Sequence, residues 1–117
     1  MREKIRDPER IRHILEAAQI LYEEGPKHSI EEIKNDRILF YGLTKLIEII
    51  GEASYKLTKE FKETHNELPW EVMTSMRHVL VHGYYTLKHE KVWETITEDI
   101  PPMIPSLEKY LKEFEEI

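Results

Sequence analysis

LFYGLTKLIEIIGEASYKLTKEF, residues 39–61, is the stretch that decides the fold class. Leu39, Leu43, Leu46, Ile47, Ile50, Ala53, Ser54, Leu57 and Phe61 recur every three or four residues, which is the spacing of one face of an α-helix. Read as one helix over residues 36 to 63, it would span about 42 Å at 1.5 Å per residue. So long a helix in a chain of 117 residues favours a helical bundle. Gly42 and Gly51 interrupt the pattern, and each costs roughly 0.5–1 kcal/mol relative to alanine. A packing reason is therefore expected at both, since a glycine lets another backbone approach; a kink or a tolerated defect is the alternative. Glu52, beside Gly51, is either a surface carboxylate or the partner of a cation on a neighbouring helix.

The flanking segments read as further helices. Asp7-Pro8 resembles a helix start, with Asp7 as cap and proline at the first position, where its missing N–H costs nothing. Ile11, Ile14, Leu15, Ala18, Leu21 and Tyr22 then form a single apolar stripe, so this helix should lie on the outside of the bundle, and Gly25-Pro26 should end it. Ser29 and Glu32 have the spacing of a capping box, and a second cap can form near Asn35-Asp36. Thr64 to Glu67 is a polar turn, and Leu68-Pro69-Trp70 opens the next helix, with Trp70, Met73, Met76, Val79 and Leu80 on its apolar face. A helix over His89 to Asp99, with Val92, Trp93 and Ile96 inward, stops before Pro101-Pro102. Pro105 can open a last helix through Leu107, Tyr110, Leu111 and Phe114. No strand alternation or repeat is present. The expected fold is all-α, an up-down bundle of four to five helices forming one domain over residues 1–117.

Composition narrows the chemistry. There is no cysteine, so disulfides, thiolate metal sites and thiol nucleophiles are excluded. No apolar run approaches the ~20 residues that span a bilayer. The charged first residues do not resemble a secretory signal, so a cytoplasmic location is expected. The net charge of −6 argues against a broad basic surface that coats nucleic acid. A local basic spot survives between Arg77 and Lys91, where Arg77, Lys88 and Lys91 face only Glu90, with His78, His82 and His89 in the same window.

Met76 to Tyr85 (MRHVLVHGYY) holds the densest reactive chemistry. Arg77 carries a permanent charge and a planar fork that matches two phosphate oxygens. His82 can exchange a proton near neutral pH. Tyr84 offers a phenol that can donate a hydrogen bond or be modified. On a regular helix Arg77 and His82 lie about 140° apart, so they do not stack directly; a helix end near Gly83 could turn His82 and Tyr84 back. His78 and His82, four residues apart, could clamp a metal, but no convincing third ligand is nearby. From the residues alone, structural packing of the cluster has nearly even odds with function.

Arg77-x4-His82-x-Tyr84 matches the Arg-x4-His-x-Tyr signature of the HEPN superfamily, with His78 in the polar position after the arginine. That position is commonly Asn or Asp there, a mild departure. Leu46 to Ala53 resembles the family's long-helix segment. Leu68-Pro69-Trp70, Met76-Arg77, Val92-Trp93 and Asp99-Ile100-Pro101 follow in the order of its small HepT-like branch, so the resemblance covers about Asp7 to Leu111. The resemblance implies a toxin-like endoribonuclease that needs no metal or cofactor, controlled by a minimal nucleotidyltransferase as antitoxin. It implies attack of a ribose 2′-OH on the adjacent phosphate of RNA. Arg77 and His82 would be catalytic, with Arg77 stabilising phosphate charge and His82 transferring a proton. His78 would support them, and Tyr84 would be the site of AMP modification, where added bulk and negative charge block the site. Such cleavage gains from both a base and an acid, yet each chain carries one signature histidine, so a homodimer sharing one cleft is expected. A non-catalytic, nucleotide- or partner-binding subunit of a nucleotidyltransferase is the competing reading, which the acidic net charge favours slightly.

Overall fold

A computed structural model describes the backbone of residues 2–82 and 88–115, and the side chains of residues 7–77 and 88–115. Among them there are four longer helices, α1 (Arg2–Glu24), α3 (Arg37–Lys56), α5 (Trp70–His82) and α7 (Met103–Glu115). Three helices of six residues fill the connections: α2 (Ile30–Asn35), α4 (Lys59–Thr64) and α6 (His89–Glu94). No strand occurs among the described residues. The all-α bundle is as expected, and its four longer helices match the lower helix count; the short segments are what the periodicity did not separate.

α3 lies at the centre. It packs against α5 on one side and α1 on the other, and α1 in turn meets α7. The first helix is thus outer in its polar face only: Ile11, Ile14, Ala18 and Leu21 are fully buried between α3 and α7, while Arg12, His13, Glu16 and Glu23 face out. Tyr22, placed in the apolar stripe, is in fact exposed. Ile47, Ile50, Ala53 and Ser54 of α3 are buried with Met73 and Met76 of α5. Each large aliphatic side chain of this kind contributes about 1.5–3 kcal/mol. No described helix is long and apolar enough to cross a membrane.

Two expectations fail for one shared reason. The stripe over residues 36 to 63 is two helices, because α3 stops at Lys56, Leu57 and Thr58 are extended, and the Thr58 side chain caps α4 by accepting from the Phe61 N–H. Asp7 does not cap α1, which is already helical from Arg2 and carries Pro8 in its interior. Instead the buried Asp7 carboxylate reaches across to the break. Its Oδ1 accepts the Thr58 N–H at 3.0 Å and its Oδ2 the Thr58 hydroxyl at 2.7 Å. A backbone donor that a continuous helix would have paired internally is satisfied by a side chain 51 positions away.

The local signals held. Ser29 and Glu32 form a reciprocal capping box, and Asp36 caps α3 by accepting from the Leu39 N–H at 3.1 Å. Gly25 ends α1, and it also has a packing role: a Cβ there would lie 2.6 Å from Ile96 Cγ2. α6 continues into a π-helical turn over Thr95–Asp99, where the Ile100 N–H bonds to the Thr95 carbonyl (3.0 Å) and Ile100 is carried into the core before Pro101. α7 begins two residues before Pro105, which then falls in the first turn, where its missing N–H is not needed.

The polar turn between α4 and α5 is bolted to α7. His65 Nε2 meets Glu113 at 2.9 Å, the Trp70 indole N–H donates to the His65 carbonyl at 2.6 Å, and the Tyr110 hydroxyl donates to Glu67 at 2.5 Å. Phe61 stacks on His65 with ring centroids 4.0 Å apart and meets Tyr110 edge-on.

Candidate active site

The site starts from a missing side chain. Gly51 is buried on α3 where α5 crosses it, and a Cβ there would lie 2.9 Å from Arg77 Cβ, 3.0 Å from Arg77 Cα and closer still to the Arg77 amide nitrogen. The two helix backbones therefore touch at this point, and only glycine allows it. Gly42 is different. A Cβ there meets nothing within 4 Å among the described residues, so none of them supplies the packing reason expected for it.

With its backbone pressed onto Gly51, Arg77 extends its guanidinium over the next turn of α3. Nη1 lies 3.4 Å from Glu52 Oε2, and the guanidinium carbon sits 3.8 Å above the centre of the Tyr55 ring. Glu52 also faces Lys56, its other oxygen 3.6 Å from Nζ. Of the two readings of Glu52, pairing with a cation on a neighbouring helix is the one seen.

Magnitudes show what holds the arginine. The Arg77 side chain is 32% exposed and that of Glu52 42%, and 3.4 Å is long for a hydrogen bond. An ion pair so open to water is worth about 0–1 kcal/mol, and a cation over an exposed ring about 0.5–1 kcal/mol. The backbone contact at Gly51 fixes where the side chain begins, while the ion pair only biases where it ends. A bidentate phosphate is a stronger partner than one long carboxylate contact and can displace Glu52 at little cost. Arg77 and Lys56 against Glu52 leave this patch cationic on an acidic protein.

The other expected site residues are less fully described. His78 and His82 belong to the α5 backbone, whose regular course keeps positions 77 and 82 about 140° apart; their side chains lie outside the described residues. Gly83, Tyr84 and Tyr85 lie outside them altogether. His89 has a packing role, its ring 4.2 Å from that of Phe40. Phe40 is about 16 Å along α3 from Gly51. Among the described residues no three His, Asp or Glu side chains converge as metal ligands. Tyr55 went unnoticed in the sequence. Its only signal is position, four residues after Gly51, and this becomes informative once Gly51 is known to touch Arg77.

The all-α bundle is consistent with a HEPN-like fold. Residues 7–113 match the ribonuclease HepT-like family, and the chain belongs to that family, the HepT-like branch of the HEPN superfamily. It is 38% identical over 103 residues to "Putative RNase TTE0752" of Caldanaerobacter subterraneus subsp. tengcongensis, covering 88% of each chain. It is 34% identical over 99 residues to "Probable ribonuclease HepT" of Thermococcus cleftensis, covering 85% of this chain and 90% of the relative. A third relative, "Putative RNase MJ1380" of Methanocaldococcus jannaschii, is 30% identical over 95 residues, covering 81% and 87%. No solved structure matches.

Proposed function

We propose that this protein is a HepT-like toxin, a metal-independent endoribonuclease that works as a homodimer of single-domain chains. Family membership over residues 7–113 supports an RNA-cleaving activity. The observation that carries the reading is the seating of Arg77: a partly open guanidinium held by an easily displaced carboxylate, beside a second cation.

In the reaction the 2′-oxygen of a ribose forms a bond to the adjacent phosphorus while the bond to the 5′-oxygen of the next nucleotide breaks. A base accepts the 2′-hydroxyl proton, an acid supplies one to the leaving 5′-oxygen, and a 2′,3′-cyclic phosphate remains. Arg77 stabilises the charge on the non-bridging oxygens through its two-pronged donors. His82 of one chain serves as base and the same histidine of the second chain as acid, with His78 supporting them. A small nucleotidyltransferase encoded nearby acts as antitoxin by placing AMP on Tyr84, which adds charge and bulk where the RNA phosphate must bind.

Expression of the wild-type chain in a bacterial host should arrest growth, and Arg77→Ala or His82→Ala should relieve the arrest. In vitro, Arg77→Ala should lower RNA cleavage by about 10²–10³-fold, the usual loss when one transition-state donor is removed. Equal toxicity of wild type and both variants would falsify the assignment. Mixed dimers with one His82→Ala chain should lose most activity, and intact mass after co-expression with the neighbouring nucleotidyltransferase should rise by the mass of AMP.

The net charge of −6 favours a second reading, a non-catalytic helical subunit that binds a nucleotidyltransferase. Tight binding to that partner with no cleavage of varied RNAs would select it.

A further inference from the structure

We propose that Tyr55 is a nucleobase-binding residue, whose ring stacks the base of a nucleotide next to the phosphate that Arg77 receives. This rests on the ribonuclease reading above. Tyr55 is 53% exposed although Arg77 lies 3.8 Å over one ring face. A ring that served only to support the arginine could be covered on its remaining surface; here that surface faces solvent. Aromatic rings and guanidinium groups, here 3.8 Å apart, are the two kinds of side chain on which unstacked RNA bases settle.

The geometry suits a single nucleotide step. The cation that would take the phosphate touches the ring that would take the base, and base and phosphate of one nucleotide are joined through one ribose. Lys56, the next residue of α3, adds a second cation beside Glu52. Stacking uses the π-face that every base has, so Tyr55 confers affinity and register with weak base preference. The tyrosine hydroxyl has no part in it.

The test uses the full-length protein and 2′-O-methyl octanucleotides, which lack the attacking hydroxyl and cannot be cleaved. A single abasic position is walked along the strand, and Kd is measured for wild type, Tyr55→Phe and Tyr55→Leu. Wild type should lose about 5- to 150-fold in affinity at one abasic position, the range for a single stacked base. Tyr55→Phe should behave as wild type. Tyr55→Leu should bind the intact strand more weakly by a similar factor and lose nothing further at that position. If Tyr55 only supports Arg77, the abasic penalty in Tyr55→Leu equals that in wild type, and the proposal fails. It fails equally if Tyr55→Leu binds the intact strand as well as wild type does. A wild-type protein that binds none of the strands overturns the ribonuclease reading itself, an outcome distinct from a Tyr55-specific failure.

Discussion

Replacing Gly51 with alanine would drive a methyl group into the backbone of α5. The new Cβ would lie 2.9 Å from Arg77 Cβ and 3.0 Å from Arg77 Cα, neither of which is the movable end of a side chain. The Arg77 amide nitrogen would be closer still, so the helices must part by roughly 1 Å to restore ordinary contact. Gaps of 0.5–1 Å forfeit about a quarter to a half of each dispersion contact along the seam, and overpacking of this kind costs about 1–3 kcal/mol. Alanine also returns about 0.5–1 kcal/mol of helix propensity. The control is on the same helix: Gly42→Ala gains the propensity and meets nothing among the described residues. Propensity cancels between the two variants, so their difference isolates the steric cost. Urea unfolding should show Gly42→Ala more stable than wild type by about 0.5–1 kcal/mol and Gly51→Ala less stable than Gly42→Ala by about 1–3 kcal/mol. Equal midpoints for the two variants would refute the helix contact at Arg77. Because Arg77 is carried on the displaced backbone, Gly51→Ala should also lose RNA cleavage, by up to about 10²-fold for a misplacement near 1 Å.

Asp7→Ala should destabilise the fold by about 2 kcal/mol, since it removes charged acceptors from the Thr58 N–H and hydroxyl. A cycle with Thr58→Ala checks the mechanism: the double variant should lose clearly less than the two single losses summed, and simple additivity would show that the pair does not interact. Burial, and then the hydrogen bond to Glu67, raise the Tyr110 hydroxyl above its ordinary value of 10.0. The folded state therefore resists an ionisation that the unfolded chain undergoes. The stabilisation is complete below about pH 10 and is lost as pH rises toward the folded value. Wild-type stability should fall above about pH 10, and Tyr110→Phe should flatten that fall; identical alkaline profiles for the two proteins would count against it.

Much of the helix map was legible in the chain because its signals act over three or four residues. Ser29 with Glu32, Asp36 with Leu39, and Pro69 ahead of Trp70 each meet their partner within one turn, so spacing alone locates them. Arg77, His78, His82 and Tyr84 were legible as a motif for a related reason: their meaning lies in residue types at fixed intervals. Helical periodicity could not place the break at Leu57, since Leu57 and Phe61 continue the apolar stripe across it and both are buried. The Thr58 cap on Phe61 is local, but the Thr58 N–H is satisfied by Asp7, 51 positions away, and no local pattern contains that contact.

The sequence by itself determined that the chain is helical, where most caps fall, and which residues match the family's motif. Only the tertiary structure decided that Gly51 and Gly42, alike in a propensity scale, differ completely, that Glu52 and Tyr55 face Arg77, and that Glu67 is joined to Tyr110 across 43 residues. The reason is physical. Caps and periodicity follow from the geometry of one helix, whereas these contacts depend on where two helices cross.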